Sequence, residues 1–193
     1  MRYLLPCIFA AYVFGSCSVP ASPETKKEEK EPAKKQSFFP VTSYIRGQVY
    51  EIRTTGINPL KYSTSNNHTD SAWLKIEELE EAVKEFLSPV IDSTNLTSLF
   101  TEKNFLDQTI AAYTFTYEPS GQLPDTMKLK RWDVHIDAET DKVKRIYMVK
   151  EISPSKTLQL TWQGGKYCKI VSIITDAKGN SSVEREEKIT WDF

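Results

Sequence analysis

Residues 127–152 read MKLKRWDVHIDAETDKVKRIYMVKEI, and the phase of their alternation decides the fold. In WDVHID (132–137) Trp132, Val134 and Ile136 take one set of alternate positions, and Asp133, His135 and Asp137 take the other. Successive side chains of a strand point to opposite faces, so this pattern predicts one dry face and one wet face. The same phase recurs downstream. Leu158, Leu160 and Trp162 alternate with Thr157, Gln159 and Thr161, and Ile189, Trp191 and Phe193 alternate with Lys188, Thr190 and Asp192. Clusters such as DAETDK, SPSK, QGG and DAKGN separate these runs with turn-forming residues. Short connections of this kind join antiparallel neighbours, so from Phe105 to the C-terminus the sequence predicts a meander. Gly164-Gly165 is expected in one of its tight turns.

Upstream, the period changes. Val41, Ile45, Val49 and Ile52 recur at helical spacing, with Thr42 or Ser43 as the expected cap and Gly56 as the stop. LKYSTSNNHTDSAWL reads as a hairpin turning near Asn66–His68. Ile76, Leu79, Val83, Phe86 and Leu87 fall on one face of an amphipathic helix closed by Pro89, and Asp92 offers a cap for a short helix through Leu96, Leu99 and Phe100. The expected architecture is therefore α+β, with N-terminal helices packed on one face of a mostly antiparallel meander sheet.

The first residues belong to something else. MRYLLPCIFAAYVFGSC has a cationic tip at Arg2, an apolar stretch from Tyr3 to Phe14 and a small-residue exit before Cys17, the order of a secretory signal. The apolar run falls short of the roughly 20 residues that span a bilayer. FGSC (14–17) resembles the lipobox of bacterial lipoproteins, which implies cleavage before Cys17 and a diacylglycerol on its thiol. Phe14 stands where that motif has Leu, Val or Ile. Each buried acyl methylene contributes about 0.8 kcal/mol, so several chains make a firm anchor. Residues 18–37, SVPASPETKKEEKEPAKKQS, show no apolar periodicity and read as a mixed-charge tether. The expected organisation is a signal peptide over 1–16, a lipidated cysteine and tether over 17–37, and one domain over 38–193. Cys7 leaves with the signal and Cys17 carries lipid. Cys168 then remains alone, too few for a disulfide and placed like a small buried hydrophobe.

Lys+Arg 25 against Asp+Glu 26 leaves a net charge of −1, which gives no general attraction to nucleic acid. Asp133, His135 and Asp137 are the candidate metal or catalytic trio. The only other histidine, His68, lies in the predicted hairpin turn, and no Cys-x-x-Cys or His-x-x-x-His spacing accompanies it. The alternation alone accounts for the trio as a solvent-facing strand surface, and neither a metal nor a cofactor is expected.

WDVHIDAETDKVKRIYMV also resembles the hairpin of PepSY-type envelope domains. That likeness implies a structural role for Asp137 and Thr140 in the turn, with Asp141 where the pattern prefers Gly. The whole chain resembles lipoproteins of Bacteroidetes-type bacteria through FGSC, the charged tether and a terminal strand EEKITWDF, a resemblance that brings no activity with it. It implies a lipid-anchored protein of the cell envelope, leaning to the outer membrane because Ser18 follows Cys17. It also singles out Ser71, Ser93 and Thr126 as O-glycosylation candidates, in Asp70-Ser71-Ala72, Asp92-Ser93-Thr94 and Asp125-Thr126-Met127. No Gly-x-Ser-x-Gly and no Walker-type loop is present. The expected function is a non-enzymatic binding or assembly module, with an envelope protein or glycan as partner. The alternative is a lipid or small-ligand carrier whose curved sheet encloses its cargo, and behind it stands a metal-dependent enzyme.

Overall fold

The computed structural model describes residues 37–191, all within the unit Lys35–Phe193. The signal, lipobox, nearly all of the tether and Phe193 lie outside the described residues. The expected α+β class is corrected: the protein is predominantly β, 48% strand against 17% helix, built on a single nine-stranded antiparallel sheet.

The regular helix is α1 (Val41–Thr55), followed by the hairpin β1 (Leu60–Ser65) and β2 (His68–Trp73). A 3-10 turn at Ile76–Glu78 leads into two four-residue helices, α2 (Leu79–Ala82) and α3 (Lys84–Leu87). Seven strands follow: β3 (Phe100–Asp107), β4 (Ala112–Pro119), β5 (Leu129–Asp137), β6 (Val143–Ser153), β7 (Lys156–Gln163), β8 (Tyr167–Thr175) and β9 (Ser181–Thr190). The spatial order is β2-β1-β9-β8-β7-β6-β5-β4-β3. The meander runs unbroken from β3 to β9, and β9 then pairs with β1, so the N-terminal hairpin closes one end of the sheet.

Two helical expectations fail for identifiable reasons. The apolar residues 76–87 do reach the core, but through separate single turns that break at Val83 (φ −106°, ψ 9°), where the side chain is fully buried. A stretch this short holds little helical structure by itself, and packing decides its path. The helix expected after Asp92 is a set of turns instead. Asp92 Oδ1 accepts from the Thr94 and Asn95 amides at 2.7 Å each, and Phe100 opens β3. α1 forms as expected and ends at Gly56 in the left-handed region (φ 69°). Thr42 does not cap it. Its buried hydroxyl accepts from the Ile91 amide at 2.8 Å and pins α1 to the segment before β3.

The dry face is as the alternation requires. Trp132, Val134, Ile146, Met148, Leu160 and Trp162 are fully buried, in one cluster with Ile45, Val49 and Ile52 of α1 and with Phe86. Trp132 stacks on Tyr117 (4.5 Å, 9°) and meets Phe100 and Phe38 edge-on. Each buried side chain of this size contributes about 1.5–3 kcal/mol. Lys150 occupies a dry-face position and is only 3% exposed; its ammonium reaches Glu85 Oε2 at 2.9 Å and the Glu85 carbonyl. Gly164 is required where β7 turns into β8. A Cβ there would lie 2.5 Å from the Val143 carbonyl oxygen and 2.9 Å from the Tyr44 hydroxyl.

Candidate functional site: a polar groove on the outer face

The opposite face of the sheet carries Asp133 and His135, and here the expectation of a plain solvent-facing surface is corrected. Asp133 is 4% exposed and His135 8%. The reason lies in their neighbours on other strands. Asp133 sits opposite Thr116 of β4 and Tyr147 of β6, and His135 opposite Thr114 and Arg145. Lys103 and Phe105 of β3 extend these two rows across Thr116 and Thr114. Long side chains rising from four strands wall a groove of about 570 Å³ along the outer face.

Inside it the charges are arranged rather than scattered. Arg131 Nη2 donates to Asp133 Oδ2 at 2.9 Å, and Lys103 pairs with Glu118 at 2.6 Å. Arg145 Nη2 lies 3.2 Å from His135 Nε2, which must accept, so the ring proton sits on Nδ1 and is donated to Thr114 Oγ1 at 3.0 Å. Burial first, and the Arg145 charge second, depress the His135 pKa below its ordinary value and keep the ring neutral. Asp107 also lines the groove, its Oδ1 accepting from the Thr109 amide (2.9 Å) and hydroxyl (2.5 Å), and its charge partly opposes the depression of His135. Two valences remain. Asp133 Oδ1 is buried without a hydrogen-bond partner, and no carboxylate among the described residues pairs with Arg145. A buried acceptor left unpaired costs about 1–3 kcal/mol. Asp133 is not alone in this: Trp132 and Trp162 in the core each bury an unpaired Nε1, and only the Asp133 atom belongs to a residue that lines the groove.

The third member of the trio goes elsewhere. Asp137 Oδ1 accepts from the Glu139 amide (3.1 Å) and from the Thr140 amide and hydroxyl (2.9 Å each). Lys144 pairs with Oδ2 at 3.0 Å. The bond from Lys144 and then those from Thr140 hold its pKa far below the usual carboxylate range. Asp141 takes the left-handed conformation (φ 55°) that closes the turn. The turn role expected of Asp137, Thr140 and Asp141 is thus present. Asp133, His135 and Asp137 do not converge, and no group of three or more His, Cys, Asp or Glu among the described residues is placed to hold a metal ion.

His68 is exposed at the start of β2, 3.1 Å from Asp70. Cys168 is buried beneath the sheet, and burial pushes its thiol up to about 12, which makes it inert. Of the glycosylation candidates, Ser71 on β2 and Thr126 in the loop before β5 are exposed, whereas Ser93 is half-buried in the turn that Asp92 organises.

Sequence reasoning missed the walls of the groove: Lys103, Phe105, Arg131, Arg145 and Tyr147. A partial signal existed, since Arg145 and Tyr147 share the wet phase of VKRIYMVK. Their partners did not follow, because a register shift between His135 and Ile136 decides which β6 residue faces which β5 residue.

Fold and groove together define a single-sheet β protein with a built polar site on its uncovered face. Compared with family models, with curated proteins and with solved structures, the chain matches none.

Proposed function

We propose that the protein is a cell-envelope lipoprotein, anchored through Cys17 and a tether, whose domain binds a ligand or partner in the outer-face groove and catalyses nothing. One observation carries the binding reading: Asp133 Oδ1, buried and unpaired, one row from an Arg145 that has no carboxylate partner among the described residues. Both are valences that a bound molecule would fill. Against His135 as a general base stands the engagement of both its ring nitrogens, by Thr114 and by Arg145. The carrier alternative has less support. The dry face of the sheet is filled by Trp132, Met148, Leu160 and Trp162, and the open groove on the other face is walled by charges unsuited to acyl chains.

The test is a photocrosslinking residue at Tyr147, in the groove, and another at exposed Tyr50 on α1, in the cells that make the protein. An adduct specific to position 147 and lost on Arg145→Glu is the expected result. No adduct at 147, or the same adducts at both positions, overturns the binding reading.

A further inference from the structure

The groove's open valences also specify what it takes, if the groove is a binding site as proposed above. Asp133 and His135 are two residues apart on β5, a separation of roughly 7 Å at about 3.4 Å per residue. Arg145 stands directly opposite His135, so the free cation lies one row along from the free acceptor. A ligand that satisfies both carries a hydrogen-bond donor at one end and an anionic acceptor at the other.

The donor is a hydroxyl rather than an ammonium group. Arg131 already neutralises Asp133 through its second oxygen, and Lys103 nearby is paired with Glu118, so the open Asp133 oxygen calls for a neutral donor rather than a second cation. An α-amino acid also fails on length, its ammonium and carboxylate both being attached to one carbon. Phe105, 55% exposed, ends the His135 row on β3, and Tyr147 ends the Asp133 row on β6, so the groove has aromatic side chains at two diagonal corners, Tyr147 being the one beside both Asp133 and Arg145. Aromatic faces pack against the C–H faces of a pyranose ring, and a ring bearing a carboxylate places hydroxyls across the ring from it. A volume of about 570 Å³ is of the size that accommodates small ligands, about 300–1,000 Å³.

We propose that the groove binds a sugar acid, its carboxylate on the Arg145 guanidinium, a ring hydroxyl donating to Asp133 Oδ1, and its ring against Tyr147, which stands beside both. Arg131 neutralises Asp133 and lets an anion approach. The sugar acid comes either as a free monosaccharide or as a residue of an acidic polysaccharide, and the two share this chemistry.

The experiment is a titration of the ¹⁵N-labelled full chain, in mild detergent, with glucuronate, glucose, acetate, 5-aminovalerate and oligogalacturonate. Saturable shifts of the Thr114, His135 and Tyr147 amides with glucuronate, at least tenfold tighter than with glucose or acetate, are expected. Arg145→Gln and Asp133→Asn, each with an unchanged spectrum elsewhere, should each weaken glucuronate tenfold or more. Oligogalacturonate binding more tightly than glucuronate would identify a polysaccharide as the source, and equal binding a free sugar acid. No saturation by either, or tighter binding of 5-aminovalerate, overturns the proposal. A Tyr147-specific crosslink in that case keeps the binding reading and rejects only the ligand class.

Discussion

Asp133→Val tests the groove through stability, without any ligand. The substitution removes Oδ1, an acceptor buried without a partner, whose desolvation costs about 1–3 kcal/mol. It also removes the Arg131 pair, but the Arg131 side chain is 48% exposed and regains water when released. A pair of that exposure contributes about 0–1 kcal/mol. Valine is branched like aspartate and suits a strand position facing Thr116 and Tyr147. The balance is a stabilisation of about 1 kcal/mol, which in a domain of this size raises Tm by roughly 2–4 °C. Asp133→Asn keeps a polar atom in the same place and should gain less. Urea unfolding at pH 7, followed by tryptophan fluorescence, reads the difference through the midpoint at constant slope. A loss of more than about 1 kcal/mol in Asp133→Val would show that Oδ1 is satisfied in solution, and the argument for an open valence would fall with it.

Glu85→Ala strips the counter-charge from Lys150, which is 3% exposed, and should cost about 3 kcal/mol in the same assay; Lys150→Met, which removes the buried charge itself, should cost less. His135 has a folded-state pKa below its ordinary 6.5, so the unfolded chain takes up the proton first and stability falls as pH drops below about 6.5. His135→Gln should flatten that part of a urea-midpoint profile, above the acid range where Asp137 and other hydrogen-bonded carboxylates begin to protonate. Phe38→Ala, at a side chain 2% exposed between Tyr117 and Trp132, should cost about 3–5 kcal/mol by calorimetry, whereas a chain beginning at residue 37 should melt like one beginning at residue 18. Labelled palmitate should enter the wild-type chain and not Cys17→Ala; equal labelling would remove the anchor from the reading.

What could be read in the sequence was local, and what could not was cooperative between strands. The alternation in WDVHID and TLQLTWQ is a property of single strands, and it placed Trp132, Val134, Leu160 and Trp162 on the dry face. The two-residue turn at Asn66 and Asn67, both at positive φ, and the Asp137 turn were legible because their own side chains make them. β3 was not. In FTEKNFLD only Phe100 is buried, since an edge strand with one neighbour has little dry face to announce it. The segment 76–99 misled for the opposite reason, its apolar residues having helical spacing but finding the core through separate turns.

Asp133 and His135 show why the site was harder to read than the fold. On alternation alone they are wet residues, and a flat sheet would leave them so. Their burial comes from Thr114, Thr116, Arg145 and Tyr147 on the flanking strands, with Phe105 and Lys103 one strand further out. The register shift after His135 turns Arg145 towards it; counted straight back from the Ile136–Val143 pair, Lys144 would have stood there. Strand phase therefore fixes which face a residue takes, whereas its chemistry is set across the ladder, where a carboxylate counted as surface becomes a buried acceptor lacking a donor. In the binding role proposed for the groove that donor would come from the ligand, and the unliganded protein bears the cost of its absence.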